Sequence, residues 1–560
     1  MRHSCIRAFV TAAFVAAPFV GSDAQSTPSK PTIEQFLSPA YPSELVSAKK
    51  ADRVAWIAYD RGLRNIYTAA SPDFKPVRLT RFLDDDGIIL SELEISDDGS
   101  IVTFVRGSEP NRIGWIANPS SDPQGPDRAI WAAYTNGSAA WRLGSGAGPA
   151  LAPDGRNVAF SRDGQIFRYQ IVPRASAPAE KDQQPYIKEW GRNAAPRWSP
   201  DGSKVAFVST RDNHALIGVY DVRTRRLHYV SPSVDIDGSP TWSPDGKRLA
   251  FVRRPGVPFG LQAQVGDGSL GNPGGPGVAG RGGRGGAGRG GRGAPGPAEG
   301  RADGLYRAAF TGGYTISLMV ADIAGCPTPA GGCEAHEFWH NQPNDKAFPT
   351  IAGIAWAGSH VIFPQEPEEW IRWYSVAVDG GGAPVELTPG EGAVETTGLS
   401  RDGSTLFYAT NVGDIDRRHL WKVTTSGGAA VQITTGDQIE MYPAPLSSGK
   451  QVAVLTSGGT RPMSVGIVSS EAGASSGTSS RRVIFPSLPA EFPAAAQVAP
   501  TAVVLKADDG LEFHNQLFLP KDLKAGEKRP AIIFVHGGPV RQMLLGYHYM
   551  DFYSTAYAVN

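Results

Sequence analysis

The sequence predicts a mainly β chain: a seven- or eight-bladed β-propeller, followed by the opening strands of a second domain of α/β class. Three observations carry this. A Trp-Ser-Pro-Asp-Gly pattern recurs along the chain, turn residues are dense, and the character of the sequence changes after residue 500. The 560 residues include 67 Gly and 45 Pro, a fifth of the total, against about 12% in average proteins. Turns must therefore be closely spaced.

The repeat reads small-Pro-x-Trp-Ser-Pro-Asp-Gly-x-x-apolar-Ala-Phe at Ala195–Ser209 and again at Ser239–Arg253. Looser copies occupy Gly148–Arg162, Ser91–Arg106 and Thr396–Thr410. The Asp-Gly pairs begin at Asp98, Asp154, Asp201, Asp245 and Asp402, with gaps of 56, 47, 44 and 157 residues. The last gap is close to three repeats carrying an insertion. Periods of this size in β-rich sequence indicate propeller blades.

One repeat accounts for one blade. Pro200-Asp201-Gly202 supplies the fixed φ, the side-chain acceptor and the positive-φ residue of a tight turn. Val205 and Phe207 then alternate with Ala206 and Val208, a period-2 strand whose Ala lets neighbouring sheets approach. Leu216–Val222 and Leu227–Val230 read as two further strands. Counting outward, Val54–Leu79 is a first blade and Ile351–Thr388 another. Tyr442–Phe485 is the last, with Ser448-Gly449 in place of Asp-Gly, so the propeller covers 33–490.

The stretch Pro255–Gly304 contains GRGGRGGAGRGGRG, lacks apolar periodicity and cannot support a core. It reads as a loop inserted in the fifth blade. An arginine-glycine segment can also bind RNA, but here no aromatic stands within the GRGGRGGAGRGGRG run. The chain's 54 Lys+Arg balance its 54 Asp+Glu, which argues against a nucleic-acid partner.

At the N-terminus, Arg2 and Arg7 precede an apolar run from Ala8 to Val20, and Ser22-Asp23-Ala24 follow. This describes a signal peptide over 1–24 and a secreted or periplasmic protein. No later apolar run is long enough for a membrane span. Cleavage would remove Cys5 and leave Cys326 and Cys333, which could close a small disulfide or stay as two thiols. Two Cys fall short of a zinc ligand set. His336, Glu337 and His340 near them read as surface polar residues of an inter-blade loop. No metal and no cofactor is expected, and oligomeric state is left open.

From Thr501 the sequence changes class. Ala502–Lys506 and Glu512–Leu519 read as strands, and Ala531–Val535 is an apolar run suited to a strand buried on both faces. It ends in His536-Gly537-Gly538-Pro539. A buried strand running into His-Gly-Gly is the layout that gives α/β-hydrolases an N–H donor for their oxyanion hole. The glycines let backbone amides approach a developing oxyanion without a Cβ in the way. The segment 501–560 is therefore read as the start of an α/β-hydrolase domain.

Propeller repeats followed by a strand and His-Gly-Gly-Pro resemble the prolyl oligopeptidase family of serine peptidases, most of all its dipeptidyl-peptidase and acylaminoacyl-peptidase branches. The resemblance implies a propeller that gates short peptide substrates to a Ser-Asp-His hydrolase domain. Its triad is expected beyond Asn560, so no catalytic residue lies within this chain, and the chain alone is expected to be inactive. Some relatives carry Tyr where His536 stands. Here the resemblance assigns the oxyanion region to His536, Gly537 and Gly538, with backbone amides around Gly537 as donors. The pair Glu368-Glu369 resembles the paired Glu with which dipeptidyl peptidases hold a substrate's amino terminus, although its surroundings do not match that motif and a solvated loop is the plainer reading. Gly473–Gly477 matches G-x-S-x-G literally, but it lies in a Ser/Gly-rich loop and is not read as a nucleophile elbow. The alternative is a non-catalytic periplasmic propeller that binds a protein or ligand. The strands after Thr501 argue against it.

Overall fold

The computed structural model describes residues 30–173, 182–256, 308–326, 332–471, 475–476, 481–535 and 542–547. Each sheet is built from consecutive sequence and winds antiparallel from its first strand outward. The first sheet pairs Tyr41–Ser47, Arg53–Asp60, Leu63–Ala70 and Val77–Arg78. The second pairs Leu90–Ile95, Ile101–Arg106, Ala129–Tyr134 and Trp141–Ser145. The third holds Ala147–Leu151, Asn157–Arg162 and Gln165–Gln170, with Ile187 bridging Ile166 at its edge.

Arg192–Trp198, Lys204–Thr210, Ala215–Asp221 and Leu227–Val230 make the fourth sheet. Ile236–Trp242, Arg248–Arg254, Ser317–Asp322 and Ala335–His340 make the fifth, and one parallel bridge from Ala215 to Ile236 joins these two. The sixth contains Ala355–Ala357, His360–Gln365, Arg372–Ala377 and Val385–Glu386. Val394–Leu399, Thr405–Thr410, His419–Thr424 and Val431–Gln432 form the seventh. Ile439–Pro445, Gln451–Ser457, Ser464–Ser469 and Arg482–Phe485 complete the eighth.

The apolar-Ala-Phe pattern sets how these sheets stack. Successive side chains on a strand point to opposite faces. In the fourth sheet Val205 and Phe207 pack with Ala159 and Ile166 of the preceding sheet, while Ala206 packs with Leu249 and Phe251 of the following one. The same polarity repeats at Val158, Ala159 and Phe160, at Leu249, Ala250 and Phe251, and at Val452, Ala453 and Val454. Large side chains face back and small ones face forward, so each sheet offers a knob to one neighbour and a hole to the other. Burying a side chain such as Phe207 contributes roughly 1.5–3 kcal/mol. Beneath its ring lies Gly218, where a Cβ would stand 2.4 Å from the Phe207 Cζ.

The polarity continues through the ends of the array. Val54 and Trp56 of the first sheet pack with Ala453, Leu455 and Phe485 of the eighth in one buried cluster. The sheets close into a β-propeller.

The first strands are also stitched to one another by hydrogen bonds around the ring. Leu93 N–H donates to Glu44 Oε2 (2.9 Å), Gly148 N–H to Glu92 Oε2 (2.6 Å) and Leu151 N–H to Glu94 Oε2 (2.7 Å). The repeat's tryptophans act likewise: Trp198 Nε1–H reaches Ala150 O (2.8 Å) and Trp242 Nε1–H reaches Arg197 O (3.1 Å). Trp356 N–H bonds Thr241 Oγ1, Tyr442 N–H bonds Thr396 Oγ1, and Ser47 Oγ–H reaches Pro445 O across the junction of first and last sheets.

Each Ser-x-Asp-Gly turn is a closed hydrogen-bond unit. Ser199 Oγ–H donates to Asp201 Oδ1 (2.6 Å), Ser203 N–H donates to the same oxygen, and Lys204 N–H donates to Ser199 Oγ (2.9 Å). Gly202 takes φ +70°, which an L side chain rarely adopts. The set recurs at Ser96 and Asp98, Ser243 and Asp245, and Ser400 and Asp402. Hydroxyl and amide donors hold the Asp245 and Asp402 carboxyls below the usual range, with the Ser243 and Ser400 hydroxyls contributing most.

Two expectations need correction. The first sheet begins at Tyr41, ahead of Val54, because Tyr41–Ser47 supplies its innermost strand. The run Ala531–Val535 is not a buried strand: Ile532 and Ile533 are each 89% exposed, and no strand pairs with it among the described residues. Before it, Thr501–Lys506 and Glu512–Leu517 form a two-stranded hairpin. A strand buried on both faces needs neighbours on both edges and both faces, and the described residues put none there. Among them, no helix is long and apolar enough to cross a membrane.

Candidate functional site

Strand direction separates the two faces of the ring. Each first strand runs into its Asp-Gly turn, so these turns share one face, here called lower. Connections between second and third strands, and between one sheet and the next, share the upper face. The chain leaves the eighth sheet at Phe485 on the upper face, and there the C-terminal segment returns to the propeller.

Its contacts are specific. Gln542 Nε2–H donates to Ile415 O (2.5 Å), and its Oε1 accepts from Arg418 Nη1 (2.9 Å) and Asn411 Nδ2 (3.4 Å). Arg418 is 5% exposed, and its Nε lies 3.2 Å from Glu395 Oε2. Leu545 N–H donates to Asp416 O, and His514 Nδ1 lies 3.1 Å from Asp416. Leu544, 1% exposed, enters the cluster between first and last sheets. Gln516 Nε2–H bonds the Met543 and Leu544 carbonyls, tying the hairpin to the same strap.

Behind this contact lies a buried charge network. Glu440, 0% exposed, accepts from Arg481 and from Thr434 Oγ1 (2.7 Å), and its Oε2 is 3.3 Å from His419 Nδ1. His419 Nε2 faces Asp414 at 3.6 Å. Glu440 N–H also donates to Arg418 O. The loop that holds Gln542 is thereby rooted in the interior.

The first strands border the propeller axis, and their bulges place Glu44, Glu92, Ala195, Ser239 and Tyr442 at positive φ. Burial, with the Glu395 and Glu44 carboxylates nearby, pushes the Tyr442 phenol up to about 12. Carboxylates thus gather around the axis on several sheets. Glu44, Glu92 and Glu94 each accept a backbone amide there, so they also hold the ring together.

His536, Gly537 and Gly538 lie outside the described residues, between Val535 and Gln542. Glu368 and Glu369 sit in the loop between His360–Gln365 and Arg372–Ala377, exposed and on the upper face. Glu368 comes only to 3.9 Å of Arg372, which lies nearer Glu386 at 3.3 Å. Cys326 and Cys333 are joined in a disulfide at the lower face, with Cα atoms 5.2 Å apart. They are therefore remote from the C-terminal segment. His336, Glu337 and His340 belong to the outer strand Ala335–His340 and not to a loop. Ser317 Oγ–H donates to Glu337 (2.5 Å), and Tyr314 stacks on His340. Among the described residues, no group of His, Cys, Asp and Glu could hold a metal ion. Ser475–Ser476 pairs in parallel with Thr434–Thr435.

Sequence reasoning missed Asn411, Arg418 and Gln542. The only signal was the charged run Asp414-Ile415-Asp416-Arg417-Arg418-His419 inside an otherwise apolar blade.

Residues 148–271 match the family model of the TolB beta propeller domain. Within that stretch, the described residues 148–173 and 182–256 are propeller by structure as well. No curated protein matches the chain. Among solved structures, Pyrococcus horikoshii acylaminoacyl peptidase aligns over 95% of this chain at 15% identity and a TM-score of 0.49. Porphyromonas gingivalis dipeptidyl peptidase 4 aligns over 93% at 13% identity and 0.44. A prolyl endopeptidase aligns over 88% at 10% identity and 0.43. This chain spans 65%, 71% and 56% of those three chains respectively.

Proposed function

We propose that this chain is the propeller-bearing part of a secreted serine peptidase of the prolyl oligopeptidase type, acting on short peptides. The observation that carries the reading is the contact of the hairpin residue His514 and of Gln542, Leu544 and Leu545 with the upper face, in a segment whose sequence carries His536-Gly537-Gly538. A propeller whose one face receives an α/β-type segment bearing an oxyanion-type sequence is arranged to stand over an acyl-transfer site. The nucleophile, acid and base would follow residue 560. In this reading the sheets are eight blades. Peptides reach the site through or beside the ring, and Glu368 and Glu369 lie on the face that would meet them. The signal peptide at 1–24 would direct export.

The test uses the protein made from the intact gene. It should hydrolyse fluorogenic short peptides and take up a fluorophosphonate probe at a single serine. Absence of both would remove the reading. It would leave a binding propeller, which the TolB-type match over 148–271 favours.

A further inference from the structure

We propose that a cavity on the lower face, between the first and second sheets, binds a small oxyanion (phosphate or carboxylate), with Arg53 as its anchor and Lys75 as a second cation. The inference does not rest on the peptidase reading.

Comparison between sheets shows what Arg53 lacks. Three sheets open their second strand with a basic residue that faces the third strand: Lys204 opposite Asp221, Arg248 opposite Asp322, and Arg53 opposite Ala70. Lys204 pairs with Asp221 at 3.3 Å, and Arg248 with Asp379 at 2.6 Å. Ala70 offers Arg53 no counter-charge. The carboxylates of the turns nearby are engaged elsewhere. Asp97 takes Lys50 (3.1 Å), Asp98 Oδ1 accepts from Ser96 and Ser100, and Asp52 Oδ1 accepts the Ser448 amide. Among the described residues the Arg53 guanidinium has neither an ion pair nor a hydrogen bond.

That guanidinium is also half-buried. Its stem lies against the Asp98-Gly99 turn of the second sheet, where a Cβ on Gly99 would stand 3.1 Å from Arg53 Cδ. Burial lowers its pKa from the ordinary value. An arginine does not shed its proton in a protein, so a desolvated guanidinium is stabilised only by an acceptor.

The cavity beside it measures about 350 Å³, and its lining includes Arg53, Ala70, Ser71, Asp73, Lys75 and Asn136. Lys75 is exposed and pairs with no carboxylate among the described residues. Asn136 Oδ1 accepts from the Ser138 amide and hydroxyl, which leaves its Nδ2 as a donor. Asp73 is the one carboxylate in the lining and pairs with neither cation. Two cations against one acid favour an anion, and a planar guanidinium suits one with paired oxygens.

The test titrates inorganic phosphate, and separately succinate, into the protein made from the intact gene, by calorimetry at constant ionic strength. Saturable binding of either supports the site, and the tighter of the two names its ligand. R53M should weaken that binding by about tenfold or more, and K75M should weaken it less. A70D gives the first sheet the carboxylate that Lys204 faces in the fourth. It should raise the melting temperature in the absence of either anion and abolish the binding. Phosphate also stabilises proteins generally, by exclusion from their surface, so only the part lost in R53M and A70D counts. No saturable binding of either ion, or binding unchanged in R53M or in A70D, would overturn the site. Should R53M fail to fold, A70D decides alone.

Discussion

Asp237 and Arg253 lie opposite each other on neighbouring strands of the fifth sheet and meet through two hydrogen bonds, Nε to Oδ1 at 2.7 Å and Nη2 to Oδ2 at 2.8 Å. Asp237 is 1% exposed, and burial pushes its carboxyl up to about 6 against the opposing pull of Arg253. Asp237→Asn leaves the guanidinium buried without a counter-charge. The expected cost is about 3–5 kcal/mol, read from denaturant melts. Replacing both residues by apolar ones of similar size should restore much of it. A loss under about 1 kcal/mol in the single variant would mean that water reaches the pair.

Ala206 is the hole into which the fifth sheet fits, in a cluster with Trp242, Leu249 and Phe251. Ala206→Leu should destabilise by about 1–3 kcal/mol through overpacking, while Ser203→Ala on the exposed turn should be nearly silent. Thermal melts of the two variants separate the outcomes. Equal effects would contradict the knob-and-hole account of the stacking.

Asp221 is held down to about 2, first by the Thr224 amide, then by the Thr224 hydroxyl and Lys204. Its folded value lies below its unfolded one, so its contribution is fully present above pH about 4 and is lost as pH falls through about 2. Asp221→Asn keeps the oxygen that Thr224 bonds but removes the titration. Melting temperature against pH should therefore be flatter for the variant between pH 4 and 2. Parallel curves would show that Asp221 contributes nothing to the acid response.

Ile532, Ile533, Phe534 and Val535 are between 60% and 89% exposed, in a stretch that pairs with no strand among the described residues. Unpaired apolar backbone is a template for association. Purified as it stands, this chain should self-associate, and a variant with Ser at positions 532 and 533 should do so less. Sedimentation velocity at several concentrations gives the answer. Identical profiles would place the association elsewhere.

The ring was legible in the sequence because its turns carry chemistry. Ser199, Asp201 and Gly202 each do one job, and the same three jobs recur at blade-length intervals. Tyr41–Ser47 was missed for the complementary reason: it leads into Ala48-Lys49-Lys50-Ala51-Asp52, a turn without Asp-Gly. His336 and His340 read as loop residues because an outermost strand is exposed along one edge and carries polar side chains like a loop.

The clamp on Gln542 could not be read at all. Arg418 and Gln542 are 124 residues apart in sequence, and no periodicity links a polar loop to its distant partner. Glu44 and Glu92 were invisible for the same reason. Nothing local distinguishes a carboxylate that caps the next sheet's amide from one that faces water.

Among the described residues, each sheet follows the one before it along the polypeptide, whereas the junction of the last sheet with the first is not crossed in this way. There the ring depends on Trp56, Phe485 and Leu544, on Ser47 against Pro445, and on Arg482 against the Pro72 and Asp73 carbonyls. Local opening concentrates where no chain crosses, so this junction is the ring's gap in waiting. Leu544 comes from the C-terminal strap, which makes the strap a latch on that gap. Pulling the strap away and parting the first and last sheets would be one mechanical event.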